Sequence, residues 1–341
     1  MTKSWSGEGQ KSETTDLVMA FEDNRLASQL YGEFDQNLAL IEQKLGVRAN
    51  PRGNHVQISG STIGVDQSRR ALESLYAQLE DGGDVTVSDV DGVIRMILTE
   101  DSQLTLPTIE KKGRVRMSQI ATRKATIIAR SPAQDGYIRA MDRTEMVFGV
   151  GPAGTGKTYL AVAYAATLLE RGDINRIILS RPAVEAGEHL GFLPGDMKEK
   201  VDPYLRPLYD ALYDMMQPEI VDRCIENGTI EVAPLAFMRG RTLANAVVIL
   251  DEAQNTTTQQ MKMFLTRLGE NSKMIITGDP SQVDLPRGVQ SGLVQALDFL
   301  SGVDGIHVTR FTDKDVVRHE LVAKIIRAYD AESKKAIEAK K

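Results

Sequence analysis

The run Gly151-Pro152-Ala153-Gly154-Thr155-Gly156-Lys157-Thr158 has the spacing G-x-x-x-x-G-K-T, that of a phosphate-cradling P-loop. Its glycines let the backbone turn tightly, so that successive N–H groups face inward at phosphate oxygens. Lys157 can then reach the β- and γ-phosphates of a nucleotide, and the Thr158 hydroxyl is placed to hold Mg²⁺. A second chemical group follows about ninety residues later, where Asp251 and Glu252 stand directly after the apolar run Ala246–Leu250. Asp251 suits the metal-binding acid of such a site, and Glu252 can polarise an attacking water as general base. ATP with Mg²⁺ is the expected ligand. A guanine-reading N-K-x-D or T-K-x-D is missing, since Thr312-Asp313-Lys314-Asp315 has the wrong order, and no L-S-G-G-Q transporter signature occurs.

These residues need elements to hold them. The strand-like run Met146–Val150 feeds the loop, and Tyr159 to Leu169, rich in Ala and Leu, predicts a helix whose positive end faces the anion. Further strand-like runs fall at Arg176–Ser180, Thr229–Ala233, Ala246–Leu250, Met274–Thr277 and Ile306–Thr309, with helical stretches between. Such alternation predicts an α/β fold, a largely parallel sheet with helices on both faces. Right-handed crossovers would gather the strand C-termini at one edge beside the loop.

At 341 residues the chain has room for two domains, and its 26% charged residues with few aromatics describe a soluble globular protein. No apolar run approaches the roughly 20 residues of a membrane span, and the start MTKSWSGEGQ lacks a signal-peptide core. One cysteine, Cys224, and the scattered His55, His189, His307 and His319 give no disulfide framework and no zinc spacing. The expected compartment is the cytoplasm.

Taken in order, residues 1–15 are polar and predict disorder, and residues 16–84 read as a small α+β domain. Within it Leu17–Phe21 predicts a strand, Phe34–Leu45 a helix, Val47–Asn50 and Val56–Ser59 a hairpin, and Val65–Leu79 a second helix. That order, β-α-β-β-α, resembles a KH-like RNA-binding unit. The clamp of that family is a G-x-x-G loop, whereas this chain has Gly32-Glu33-Phe34-Asp35, with two acids and no second glycine. RNA binding and protein docking therefore both stay open for this unit. Residues 85–130 read as a helix (Ser88–Leu98, N-capped by Ser88) followed by a basic linker. Between Pro107 and Arg130, Lys111, Lys112, Arg114, Arg116, Arg123, Lys124 and Arg130 face Glu110 alone, a net +6 in a chain of net −6. A run of that kind suits nucleic-acid contact as well as a solvated connector. Residues 131–330 form the expected nucleotide-binding core, and 331–341 a charged tail.

Two further motifs point to a lineage. Asp251-Glu252-Ala253-Gln254, together with Gly278-Asp279-Pro280-Ser281-Gln282 after the strand Lys273–Thr277, resembles motifs II and III of superfamily 1 helicases. By that resemblance Gln282 senses the γ-phosphate, and Gln134, in Ser131-Pro132-Ala133-Gln134, stands where that superfamily reads adenine. The stretch Ser180 to Asp196 (SRPAVEAGEHLGFLPGD), the run Gly278 to Gly288 and Asp315-Val316-Val317-Arg318-His319 extend the likeness. Over Gln134 to Tyr329 the chain closely resembles the PhoH-like family, in its longer form with a KH-like unit. The resemblance implies a RecA-like P-loop NTPase core and ATP hydrolysis linked to RNA metabolism, through helicase-like remodelling of single-stranded RNA. It also allows a nucleotide-gated module that docks a ribosome-associated endoribonuclease. A helicase of that superfamily closes ATP between two such cores, and this chain has one P-loop. The charge-neutralising arginine is therefore expected from the C-terminal helix or another subunit, with Arg318 first and Arg310, Arg239 and Arg241 behind it. A homo-oligomeric ring would supply it.

Overall fold

The computed structural model describes residues 14–103, 117–182, 197–286 and 288–316. Among them the chain divides into two compact units, 1–117 with 130–132, and 118–129 with 133–341. The expected disorder of the N-terminus falls almost wholly outside the described residues, and the expected charged tail lies entirely outside them.

The first unit runs β1 (Thr14–Ala20), α1 (Asn24–Tyr31), α2 (Gln36–Leu45), β2 (Arg48–Arg52), β3 (His55–Ser61), α3 (Thr62–Glu80) and α4 (Val87–Gln103). Its strands form an antiparallel sheet in the order β1-β3-β2, with Leu17 opposite Ile58 and Ala49 opposite Ile58 from the other side. Alternation along the strands turns Ala49, Val56 and Ile58 inward onto Leu30, Leu38, Ile41, Leu72 and Leu75. Arg48, Asn50 and Arg52 face outward along β2.

Two features correct the sequence reading. The short helix α1 was not expected; Asp23 caps it by accepting from the Arg25 and Leu26 amides, and it buries Ala27, Leu30 and Tyr31. Helix α4 was expected in a connecting segment, yet Val90, Val93, Ile94 and Ile97 are fully buried in this unit's core. Thr86, not Ser88, opens it, exchanging hydrogen bonds with Asp89. Between α1 and α2 the chain turns at Gly32, and both Phe34 (φ 51°) and Asp35 (φ 58°) adopt left-handed backbone. Phe34 is 100% exposed.

The second unit opens with a hairpin, β4 (Gln119–Ala121) and β5 (Thr126–Ile128), where a linker was expected. Ile120 is buried, the Arg123 amide donates to Glu170, and the Lys124 ammonium donates to the Tyr213 carbonyl. Helix α5 (Pro132–Arg143) leads into β6 (Met146–Val150), followed by α6 (Lys157–Arg171), β7 (Arg176–Arg181), α7 (Met197–Met215), α8 (Pro218–Glu226) and β8 (Ile230–Pro234). Then come β9 (Ala246–Leu250), α9 (Thr258–Leu265), β10 (Lys273–Gly278), α10 (Gly292–Phe299) and β11 (Ile306–Arg310). The six strands β6 to β11 are parallel neighbours in the order β11-β6-β10-β9-β7-β8. This is the expected α/β P-loop architecture.

Period-two alternation divides each strand between two cores. Val147, Ile177, Leu179, Val247, Ile249 and Ile275 face α5, α6, α7 and α8. Met146, Phe148, Ile178, Val248, Met274 and Ile276 face α9 and α10. Strands β6 and β9 are buried at every position, as apolar runs covered on both faces must be. Burying each such side chain stabilises by about 1.5–3 kcal/mol. The sheet thus fixes the strand ends, and loops leaving those ends carry the chemistry.

Candidate functional site

The loop between β6 and α6 is built from backbone that side chains would obstruct. Gly151 has φ 146°, and a Cβ there would lie 2.4 Å from the Phe311 carbonyl oxygen. Gly154 and Gly156 are both left-handed at φ 81°, and Gly156 starts α6. The Gly151 amide donates to Gly278 O (3.1 Å) and the Phe311 amide to Val150 O (2.7 Å), so β10 and β11 pin the loop's first residues. Beneath them Tyr137 is fully buried, its ring edge-on to Phe311 at 5.4 Å, and Gly149 leaves room for it. Burial, with the charge of Asp251 adding to it, pushes the Tyr137 hydroxyl far above its usual range.

Lys157 donates to the Gly151 and Pro152 carbonyls, both at 2.7 Å, which places its ammonium across the concave side of the loop. The Thr155 hydroxyl also caps Pro152 O (3.0 Å). Gln134, 4% exposed, donates its amide to Thr155 O at 3.0 Å and so braces the loop from α5.

Opposite stands the end of β9. The Thr158 and Thr277 hydroxyls both donate to Asp251 Oδ1, at 2.6 and 2.8 Å. Asp251 is buried, and its Oδ2 lies 4.0 Å from the Arg181 guanidinium. Hard oxygen donors converging from a hydroxyl and a buried carboxylate fit Mg²⁺. Glu252 takes left-handed backbone (φ 51°, ψ 38°), a conformation costing a non-glycine residue of order 1–3 kcal/mol. Its Oε1 pairs with Arg181 Nη2 at 3.3 Å and its Oε2 accepts from Gln254 at 2.5 Å. Gln254 is fixed in turn: its Oε1 accepts the Asp279 amide (3.0 Å) and its carbonyl the Ser291 hydroxyl (2.7 Å). Asp279 accepts from the Ser281 amide and hydroxyl and from the Gln282 amide at 2.6 Å.

These groups surround one cleft of about 250 Å³, lined by Ala153, Gly154, Gly156, Lys157, Thr158, Asp251, Glu252, Asp279 and Gln282 among others. The strand ends of β6, β9 and β10 thus bring together the expected P-loop, the acids and Gln282, while Gln134 lies behind the loop. Arg318 lies outside the described residues, as do 183–196 and Lys111, Lys112, Arg114 and Arg116. Of the other arginines, Arg241 is ruled out as a free cation, because it makes a two-pronged pair with Glu231 at 2.6 and 2.7 Å. Arg310 is exposed at the end of β11, beside Val150, and Arg239 is exposed beyond β8, the far edge of the sheet. Arg130 is bound to Asp89 at 3.1 Å.

Sequence reasoning gave no role to Arg181, Thr277 or Asp279. Arg181 sits inside a quoted motif, but only the pairing of β7 with β9 carries it next to Glu252.

The protein-family comparison adds lineage to this geometry. The profile described as PhoH-like protein matches residues 126–330. The chain belongs to the PhoH-like family. The PhoH-like protein of Bacillus subtilis (strain 168) is 52% identical over 307 residues, covering 90% of this chain and 95% of that one. The PhoH-like protein of Mycobacterium tuberculosis H37Rv is 48% identical over 305 residues, covering 88% and 84%. Protein PhoH of Escherichia coli K12 is 45% identical over 232 residues, covering 67% and 66%. The match begins at Thr126, the first residue of β5, and leaves β4 outside it. A PhoH-like P-loop core with a nucleotide cleft is therefore in hand.

Proposed function

We propose that this protein is a Mg²⁺-dependent ATP hydrolase acting in RNA metabolism, coupling turnover to remodelling of single-stranded RNA. The observation that carries hydrolysis is Glu252 beside Asp251 on one cleft with Lys157 and Thr158. Binding alone needs the loop and the metal acid; a second carboxylate at the cleft is the group a water-activating site requires. Lys157 and the loop amides would hold the β- and γ-phosphates, and Gln134 keeps the loop in that shape. Water attacks the γ-phosphorus, its proton passes to Glu252, and the bond to the bridging oxygen breaks with its electrons leaving on ADP. Thr158 and Asp251 would hold Mg²⁺, which neutralises phosphate charge when bound. Gln282 would report the γ-phosphate to Asp279 and Gln254.

RNA is supported by the basic run before the core and by the outward row Arg48, Asn50 and Arg52 on β2. The ring and the trans contribution of Arg318 belong to the same reading, as does a cytoplasmic location; among the described residues no helix is long and apolar enough to cross a membrane. Steady-state hydrolysis with and without single-stranded RNA, with mass by light scattering, tests it. RNA-stimulated turnover by an oligomer is expected, and an RNA-indifferent rate would remove the RNA half.

One observation favours a second reading, the nucleotide-gated docking module. Phe34 exposes its whole ring between Glu33 and Asp35, which repel phosphate and suit an apolar pocket with a basic rim. ATP-dependent retention of a protein partner such as a ribosome-associated endoribonuclease, without RNA stimulation, would select it.

A further inference from the structure

We infer that Arg181 is a positioning residue that holds the Glu252 carboxylate aside and thereby restrains hydrolysis; the inference rests on the reading of Glu252 as the water-activating group. Glu252 is held in left-handed backbone, which a side chain of its kind does not adopt unless its surroundings impose it. Two tethers hold its side chain there, one on each carboxylate oxygen: Arg181 Nη2 at 3.3 Å and Gln254 Nε2 at 2.5 Å. They differ in what lets them move. Gln254 is 1% exposed and locked to Asp279 and Ser291, so it cannot follow the carboxylate. Arg181 ends β7, its side chain is 23% exposed, and its other guanidinium nitrogen already lies 4.0 Å from Asp251 Oδ2. It has a second acid to turn to.

Glu252 therefore has to give up both tethers before it can swing toward a water at the γ-phosphate, and of the two Arg181 is the charged one, with Asp251 at hand as a second acid. The pair is a latch, and the rate at which it opens limits basal turnover. The arginine acts through Glu252, the cleft-lining carboxylate its guanidinium meets at 3.3 Å.

The test uses the full chain at saturating Mg²⁺, comparing Arg181→Gln, Arg181→Lys, Glu252→Gln and the double variant Arg181→Gln with Glu252→Gln. Hydrolysis is followed alongside affinity for a fluorescent ATP analogue. With Arg181→Gln, kcat should rise about three- to tenfold while nucleotide affinity stays within about twofold. Arg181→Lys should keep the low wild-type kcat, and the gain should vanish in the double variant. If Arg181→Gln does not fold, Arg181→Met, of similar length and also neutral, takes its place. A kcat at or below wild type in the neutral variant, with Glu252→Gln inactive, overturns the latch alone. Wild-type turnover by Glu252→Gln overturns the hydrolysis reading and takes the latch with it.

Discussion

Lys157 and Glu252 face the same cleft and should fail differently when changed. Lys157→Ala removes the cation over the loop, so nucleotide binding should be lost in a direct titration. Glu252→Gln keeps the loop and should bind normally, while turnover falls by about 10²–10⁴, the usual worth of a general base. Gly151 is the most constrained residue of the loop. Gly151→Ala places a Cβ against the Phe311 carbonyl in a backbone region that alanine avoids, destabilising the fold by about 1–3 kcal/mol. A lowered melting temperature together with lost nucleotide binding is expected; an unchanged variant would mean the loop can relax around the clash.

Elements decide how such residues meet. Helix α5 supports the P-loop through Tyr137 beneath it and through the amide of Gln134, and Gln134→Ala would leave a buried carbonyl without that donor, at about 1–3 kcal/mol. Nucleotide affinity should weaken by about tenfold in titration; full affinity would confine Gln134 to packing. At the far edge, Arg241 donates to Glu231 and holds its carboxyl below the usual range. The pair is partly exposed, so the effect is small. Its stabilisation is present above about pH 4.3, the unfolded value, and is lost as pH falls through the lower folded value. Glu231→Gln should flatten that acid limb of the melting curve. The elements were read from sequence unevenly, for physical reasons. All six parallel strands were legible, the inner ones because doubly covered strands are written as apolar runs such as Ala246–Leu250, and the edge strands β8 and β11 through the β-branched residues of Ile230–Pro234 and Ile306–Arg310. Helix α1 was not, being only eight residues, half of them polar, whose buried face is Ala27, Leu30 and Tyr31. The P-loop and the acids were legible because their chemistry is local in sequence. Arg181 was not, because its partner is reached only across two paired strands.

Neutralising Lys111, Lys112, Arg114 and Arg116 should weaken RNA binding and reduce its salt slope by roughly 0.7 per lost phosphate contact. Unchanged affinity and slope would return the segment to a connector. The shared-site arrangement predicts that Arg318→Ala and Lys157→Ala are each inactive alone and regain partial activity when co-assembled. An arginine supplied in trans is worth about 10³–10⁵ in turnover, so recovery in verified mixed oligomers would be easily seen. Its failure, or full activity in a monomer, would exclude the arrangement.

The strand order β11-β6-β10-β9-β7-β8 also governs how the protein comes into being. Strand β6 is the first of the six to leave the ribosome, yet both its neighbours, β10 and β11, are the last two. Pairing Val150 with Gly278 and with Arg310 closes chain loops of more than a hundred residues, so the site belongs to the slow, non-local stage of folding. Until Gly278 has emerged, the P-loop has no strand on either side, and until Phe311 has followed it, Gly151 has only β10 against it. A nascent chain stalled before residue 273 should gain no protease protection from ATP, whereas one released after 316 should. Nucleotide capture would then mark the arrival of β10 and β11, and on the proposed reading a chain finished where ATP is scarce would lack the stabilisation that a bound nucleotide adds.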